Sequence, residues 1–200
     1  MRDLEIRGAG NLLGAEQSGH MESVGYDLYC KMLSEAVKEA RGIEQEEDFE
    51  TVVDLSVDAY IPDSYIPSEF QKLEAYKRIA GIFDKNDFDD ITDELFDRYG
   101  ELPASVVNLM RVAELKAAAH RASLTEIKEL YGRVKLTVHP EPKFDPARIP
   151  PVLAKYKGAF TIRRYENETY FEYAGKEKGE ELMNILKTFA GELAETAKEE

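Results

Sequence analysis

Two different spacings of apolar residues divide the chain near residue 50. Apolar residues recur at every third or fourth position between Val24 and Ala40, which predicts an amphipathic helix that ends near Gly42. Residues 53–59 instead alternate apolar and polar side chains, as a half-buried strand does. The run at residues 44–50 is mostly acidic and indicates a solvated linker. We therefore predict a domain boundary between residues 48 and 49.

Three helices are predicted between residues 68 and 121. Ser68 and Gln71 form a capping box for the first helix, and Asp87 is expected to cap the second. Pro103 suits the first turn of the third helix, which extends to about Arg121. Glycines are expected to end the first two helices, at Gly81 and Gly100. Helical spacing predicts these buried faces: Phe70, Leu73, Tyr76 and Ile79 or Ala80; then Phe88, Ile91, Leu95 and Tyr99; then Val106, Met110, Ala113 and Ala117.

The remaining residues predict a smaller unit of strands and helices. Strands are expected at residues 124–130 and 133–138, with a turn between them, and at 159–164 and 169–174 as a hairpin. Asp145-Pro146 begins a helix of about ten residues, and a last helix covers about 176–196. The fold class is therefore α+β, with short, mainly antiparallel strands and several helices. It comprises an N-terminal helical and loop segment at 1–48 and a domain at 49–200, whose parts are 49–122 and 123–200.

The stretch at residues 7–20 contains four of the thirteen glycines, bracketed by Arg7 and Gln17. Such a stretch forms a shaped turn, because glycine adopts backbone angles that other residues resist. A phosphate-binding loop is one interpretation, but the spacing from Gly10 to Gly14 is one residue too long for a dinucleotide loop. No Lys-Ser or Lys-Thr pair follows it, as a nucleoside triphosphate loop requires. A glycine-rich connection between two helices is the second interpretation.

The net charge of −14 changes the expected partner. A free-standing DNA-binding domain presents a basic surface, and duplex DNA repels an acidic one. The acidic surface favours a protein partner with a basic face, although solubility alone would also explain it. One cysteine, Cys30, excludes an internal disulfide, and no apolar run is long enough for a membrane span. We therefore expect a cytoplasmic protein.

The sequence offers little catalytic chemistry. Its three histidines, His20, His120 and His139, are widely separated and have no partners at metal-ligand spacing. No pair of acids stands in an apolar pattern that would tune it for acid–base catalysis. We therefore predict no catalytic residue, no metal site and no cofactor in this chain.

Two groups of motifs carry a resemblance to known families. Residues 3–14 with Glu16-Gln17-Ser18-Gly19 resemble the translocation motif that is shared by RecG helicases and bacterial transcription-repair coupling factors. Residues 60–67, 73–80 and 94–103 resemble the C-terminal domain of the coupling factors. The resemblance runs from Asp3 to the end and is strongest before residue 125. Met1 directly before Arg2-Asp3 indicates an expression start inside a longer protein.

This resemblance implies the function of a larger protein. The whole factor would be a DNA translocase that uses ATP and Mg²⁺, displaces stalled RNA polymerase from duplex DNA and recruits the repair protein UvrA. The terminal domain would pack on a UvrB-like module near the N-terminus of the same protein and mask the surface that UvrA uses. The translocation segment would couple ATP hydrolysis to stepping on DNA, through Arg7, Gly8, Gly10, Gly14, Gln17, Ser18 and Gly19. Alternatively, Arg7 only ties the segment together.

Glu94 and Asp97 are the candidate partner interface in the terminal domain. They lie three residues apart on the second predicted helix of the 68–121 region, so their carboxylates share one patch. The alternative is a solvated acidic face on which Asp97 pairs with an arginine of the same domain. Two other functional classes stay open: a fragment of a RecG-like branch-migration helicase, and an independent small nucleotide-binding enzyme.

Overall fold

The structure, a computed structural model, describes residues 49–197. These residues belong to one compact unit of the chain. The segment predicted at residues 1–48, its helix and the boundary at its end lie outside the described residues.

Five strands and five α-helices make up the described part, which confirms the α+β class. The strands are β1 (Val52–Asp54), β2 (Leu124–Leu130), β3 (Arg133–Val138), β4 (Phe160–Tyr165) and β5 (Glu168–Tyr173). The helices are α1 (Glu69–Ala80), α2 (Lys85–Tyr99), α3 (Ala104–Arg121), α4 (Ile149–Lys155) and α5 (Gly179–Ala194), and a 3-10 turn at Pro146–Arg148 leads into α4.

The five strands form one sheet in the order β1-β2-β3-β5-β4. All neighbours are antiparallel except β1, which runs parallel to β2. The turn between β2 and β3 is as short as predicted, because Tyr131 and Gly132 both adopt positive φ angles, 51° and 74°. Such a two-residue turn matches the twist of an antiparallel pair.

β1 is shorter than the alternating pattern of residues 53–59 predicted. The Val57 N–H donates to the Leu55 carbonyl at 2.8 Å, so the chain turns immediately after Asp54 and leaves the sheet. The Ser56 N–H donates to the Glu129 carboxylate at 3.0 Å instead of to a strand. The alternation of exposed and half-buried residues continues to Ala59 without ladder hydrogen bonds, which explains why the pattern alone overestimated the strand.

The core lies between one face of the sheet and helices α3 and α5. Phe160 from β4 stacks on Phe189 from α5 at 3.8 Å between ring centroids, and Phe171 from β5 meets Phe189 edge-on at 5.2 Å. Burying each such ring contributes roughly 1.5–3 kcal/mol. Leu115 and Leu136 are also fully buried in this cluster.

Helices α1 and α2 begin and end close to their predicted bounds, but two details differ. The Ser68 hydroxyl accepts the Gln71 N–H, which is one of the two hydrogen bonds of the predicted capping box. Phe70 is 69% exposed, so its predicted place on the inner face is wrong. The buried line of α1 passes through Ala75 and Ile79, and Phe70 lies about 140° round the helix from Ala75.

The N-cap of α2 is Asp84, three residues before the predicted Asp87. The Asp84 carboxylate accepts the Asn86 and Asp87 N–H groups at 2.8 and 3.1 Å. Asp87 is the third helical residue, and its carboxylate accepts the Phe83 N–H at 3.0 Å. The two aspartates thus form a reciprocal capping box, with Asp84 as the N-cap and Asp87 at its third helical position. Because aspartate is favoured at the N-cap, the sequence rule fits either residue.

Two histidine rings pack against the first residue of the described part. The Phe49 ring lies between His120, at 4.6 Å, and His139, at 4.7 Å between ring centroids. The buried Thr51 hydroxyl donates to the Leu124 carbonyl at 2.8 Å. The sequence did not predict that these histidines contact the same ring. They are 19 positions apart and meet only because β2 and β3 fold back beside the end of α3.

Candidate partner-binding surface

The structure describes two of the predicted site residues, Glu94 and Asp97, and both lie in α2. Arg7, Gly8, Gly10, Gly14, Gln17, Ser18 and Gly19 lie outside the described residues, and their predicted role in coupling stays a prediction.

Both ends of α2 are fixed by side chains. The capping box holds its first turn, and the Tyr65 hydroxyl donates to the Leu95 and Gly100 carbonyls at 3.1 and 3.2 Å at its last turn. Burial, with a smaller contribution from Tyr99, raises the pKa of Tyr65 above its ordinary value. Ile91 and Leu95 anchor the inner side of the helix. The outer side is therefore presented at a defined orientation.

Glu94 connects α1 to α2. Its carboxylate accepts hydrogen bonds from Arg78 of α1, at 2.6 Å from Nη2 and 3.1 Å from Nε, and from Arg98 Nη1 at 3.2 Å. The hydrogen bond from Arg78 is the largest cause that holds the pKa of Glu94 below its ordinary value. The side chain keeps 31% of its accessible surface. Glu94 is thus a charged contact between two helices, and most of its hydrogen-bonding capacity is already used.

Asp97 lies on the outer side of α2 with Asp89 and Asp93. The three carboxylates follow each other at four-residue intervals, and all three side chains are exposed. None of them forms an ion pair with another residue of the 49–197 range. Like charges at this spacing repel each other by roughly 0.2–0.5 kcal/mol per pair. Phe96 lies beside this row and is 56% exposed. We name Asp89, Asp93, Phe96 and Asp97 the acidic face.

The two predicted interface residues therefore differ in their surroundings. The alternative interpretation placed an internal arginine pair at Asp97, whereas the structure places it at Glu94. The reason is the helix angle: Glu94 faces the end of α1, while Asp97 lies about 200° round the helix from the buried Leu95.

Tyr65 and Arg78 hold α2 in place, and Phe96 belongs to the acidic face; the sequence analysis assigned none of these three roles. Phe96 could have been found, since it lies about 100° from Leu95 on the helix and thus off the buried line. Arg78 carries no such signal, because its contact with Glu94 depends on how α1 crosses α2. The acidic face is an open surface with one exposed aromatic ring and carboxylates around it. This arrangement suits contact with a protein that offers arginines or lysines around an apolar spot.

Two other features of residues 49–197 bear on function. They contain no group of three or more His, Cys, Asp or Glu side chains placed to hold a metal ion. None of their helices is both long and apolar enough to cross a membrane.

Comparison with known proteins gives the family. Residues 55–149 match the family model described as the TRCF domain. The transcription-repair-coupling factor of Bacillus subtilis is 45% identical over 142 residues, which are 70% of this chain and 12% of that protein. That of Staphylococcus aureus (strain USA300) is 47% identical over 131 residues, 64% of this chain and 11% of that protein. The chain thus spans about an eighth of the length of these relatives.

A solved structure matches the fold. The crystal structure of the C-terminal domain of a transcription-repair coupling factor superposes with a TM-score of 0.61, at 22% identity, over 76% of this chain and 96% of that one. The family match includes α2 and the whole acidic face. The chain belongs to the transcription-repair coupling factor family, and its described part has the fold of that family's C-terminal domain.

Proposed function

We propose that the described domain is a regulatory, non-catalytic module that docks its acidic face on a basic surface of another module of the same protein. From the resemblance to the coupling factors, we infer that this module is the UvrB-like one and that docking masks the surface that UvrA binds. The unpaired carboxylate row of Asp89, Asp93 and Asp97 supports the proposal most directly. A basic partner would relieve the mutual repulsion of these carboxylates.

Such a contact is suited to release. Ion pairs at the solvent-exposed rim of an interface contribute modestly, about 0.2–1 kcal/mol each, so a masking contact built from them can open when another ligand competes. Phe96 supplies an apolar anchor at the centre of the charged rim, and this anchor would fix how the two modules align. The docked and undocked states that we propose then differ little in free energy, so a competing ligand can shift the balance between them.

The wider function follows the resemblance. We propose that the parent protein is an ATP-dependent DNA translocase in nucleotide excision repair, with ATP and Mg²⁺ as its cofactors and RNA polymerase, UvrA and duplex DNA as its partners. The 200-residue chain itself would neither turn over ATP nor bind duplex DNA tightly. Its glycine-rich stretch is not followed by the Lys-Ser or Lys-Thr pair of a nucleoside triphosphate loop, and its net charge of −14 repels the phosphates of DNA. Robust ATP hydrolysis or submicromolar DNA binding by the purified chain would contradict this.

The masking role is tested in the full-length protein with Asp93→Lys and Asp97→Lys combined. Glu94 is left intact, because reversing its charge would place three cations together and disturb the contact of α1 with α2. We expect stronger UvrA capture in a pull-down, since two reversed charges add repulsion to lost attraction. The control is Glu166→Lys with Glu195→Lys, two exposed acids outside α2 that give the same change in net charge. Equal UvrA capture by the two double variants would remove the acidic face from the masking contact.

The coupling role of the N-terminal segment needs a separate test. We propose that Arg7 and Gln17 link motor movement to DNA stepping, Arg7 through charge-assisted hydrogen bonds. In the full-length protein, Arg7→Ala should abolish displacement of RNA polymerase and retain much of the ATP hydrolysis. Arg2→Ala, outside the motif, serves as the control. Displacement at the normal rate by Arg7→Ala would refute the coupling role.

A further inference from the structure

β4 is the longer of the two edge strands of the sheet. It has six residues, whereas β1 at the other edge has three. One side of β4 pairs with β5 along its whole length. β4 is the last strand in the sheet order, so no strand among residues 49–197 pairs with its other side. Every β4 side chain after the buried Phe160 is exposed.

The register shows which backbone groups of β4 are free. The Ala174 N–H donates to the Ala159 carbonyl at 2.9 Å, which makes these two residues a hydrogen-bonded pair next to the strand. Hydrogen-bonded pairs alternate along an antiparallel ladder, so Thr161, Arg163 and Tyr165 bond to β5. The N–H and C=O groups of Ile162 and Arg164 therefore point outward. Free groups of this kind can pair with another strand.

The side chains along this edge are apolar and basic. Ile162, 47% exposed, and Arg164 lie on the same face of the sheet as the buried Phe160. Arg164 has no acidic partner among the described residues. Arg163, on the opposite face, donates to the Glu172 carboxylate at 3.0 Å. The edge thus offers an exposed isoleucine and an unpaired arginine, in a chain whose net charge is −14.

We propose that β4 is a second docking site, which binds an extended acidic segment of a partner protein as a sixth strand of the sheet. Backbone hydrogen bonds to Ile162 and Arg164 supply affinity for any extended segment, and the side chains of these two residues supply the selectivity. An apolar side chain of the incoming strand packs on Ile162, and a carboxylate two residues along faces Arg164. The acidic face of α2 selects the opposite charge, so the two surfaces take different partners.

The probe is the capped peptide Val-Glu-Glu-Val-Thr-Thr, which in an antiparallel register places glutamates opposite Arg164 and Arg163 and valine opposite Ile162. Binding to the 200-residue chain is measured by fluorescence anisotropy, and amide hydrogen exchange by NMR locates it. We expect protection of the Ile162 and Arg164 amides, and no binding of the same peptide with lysines in place of both glutamates. The absence of protection at about 1 mM peptide, where even a contact of about −4 kcal/mol is half-occupied, overturns the proposal.

Two variants separate backbone pairing from charge. Ile162→Pro removes an outward N–H and leaves the ladder to β5 intact, so peptide binding should be lost. Arg164→Glu should weaken binding about tenfold, whereas Arg148→Glu, an exposed arginine outside the sheet, should leave it unchanged. If Ile162→Pro disturbs the fold in a thermal melt, Arg164→Glu decides the question alone. Unchanged binding by Arg164→Glu means that the arginines only guard the edge against aggregation, and the proposal fails.

Discussion

Glu94→Gln should destabilise the domain, and Asp97→Asn should not. Both substitutions remove one negative charge from α2, three residues apart. Glu94 accepts hydrogen bonds from Arg78 at 2.6 Å and Arg98 at 3.2 Å, whereas Asp97 has no partner among the described residues. Exposed ion pairs contribute roughly 0.2–1 kcal/mol each, so the loss of charge at Glu94 should cost about 1 kcal/mol in total. For a domain of this size that is a decrease in Tm of about 2–4 °C.

The effect depends on pH and salt in a defined direction. The Arg78 hydrogen bond holds the pKa of Glu94 below its ordinary value in the folded state. The ionised carboxylate therefore contributes its full stabilisation above the unfolded value of 4.5, and this contribution is lost as the pH falls through the folded pKa. The difference in unfolding free energy between the wild type and Glu94→Gln should thus shrink below pH 4.5. It should also shrink at about 1 M salt, because salt screens exposed charges.

Urea unfolding of the 200-residue chain at several pH values measures these differences. Asp97→Asn is the matched control and should stay within about 0.5 kcal/mol of the wild type. Equal destabilisation by the two variants, or a Glu94→Gln effect that grows on acidification, would refute the assignment of Glu94 as the charged contact between α1 and α2.

Three further substitutions test how the structure positions the acidic face and the core. Tyr65→Phe removes the hydroxyl that donates to two carbonyls at the end of α2 and should cost about 1 kcal/mol in urea unfolding; a wild-type midpoint would contradict that role. Phe189→Ala removes a fully buried ring stacked on Phe160 and should lower the free energy of unfolding by about 3–5 kcal/mol, and a loss below about 1 kcal/mol would be inconsistent with this packing. Gly100→Ala should cost at least about 1 kcal/mol, because φ of 85° with ψ of −158° is a backbone conformation that essentially only glycine adopts, whereas Gly191→Ala within α5 should stabilise slightly. Thermal melts in which both variants shift Tm in the same direction would count against this backbone conformation at the end of α2.

The sequence by itself determined the elements whose signals are local. Ser68 caps the start of α1, and Gly81 and Gly100 directly follow the last residues of α1 and α2, because capping residues and glycine stops act within one turn of a helix. The strands at 124–130 and 133–138 were found at their observed bounds, since tight turn residues separate two runs with strand-forming residues. The family motifs around Glu94 are also contiguous in sequence, and the assignment to the coupling factors was confirmed.

Only the tertiary structure decided which side chains meet. The pairing of β1 with β2 joins residues about 70 positions apart, and the Glu94 contact with Arg78 depends on how α1 crosses α2. Phe70 matched the apolar pattern of α1 but lies exposed, because a helix covered on one side buries only the residues along its contact line. Glu94 and Asp97 look equivalent in the sequence, but the neighbouring helix makes Glu94 a structural contact and leaves Asp97 exposed. Long-range packing sets these outcomes, since local spacing fixes the direction of a side chain relative to its own helix but not what lies in that direction.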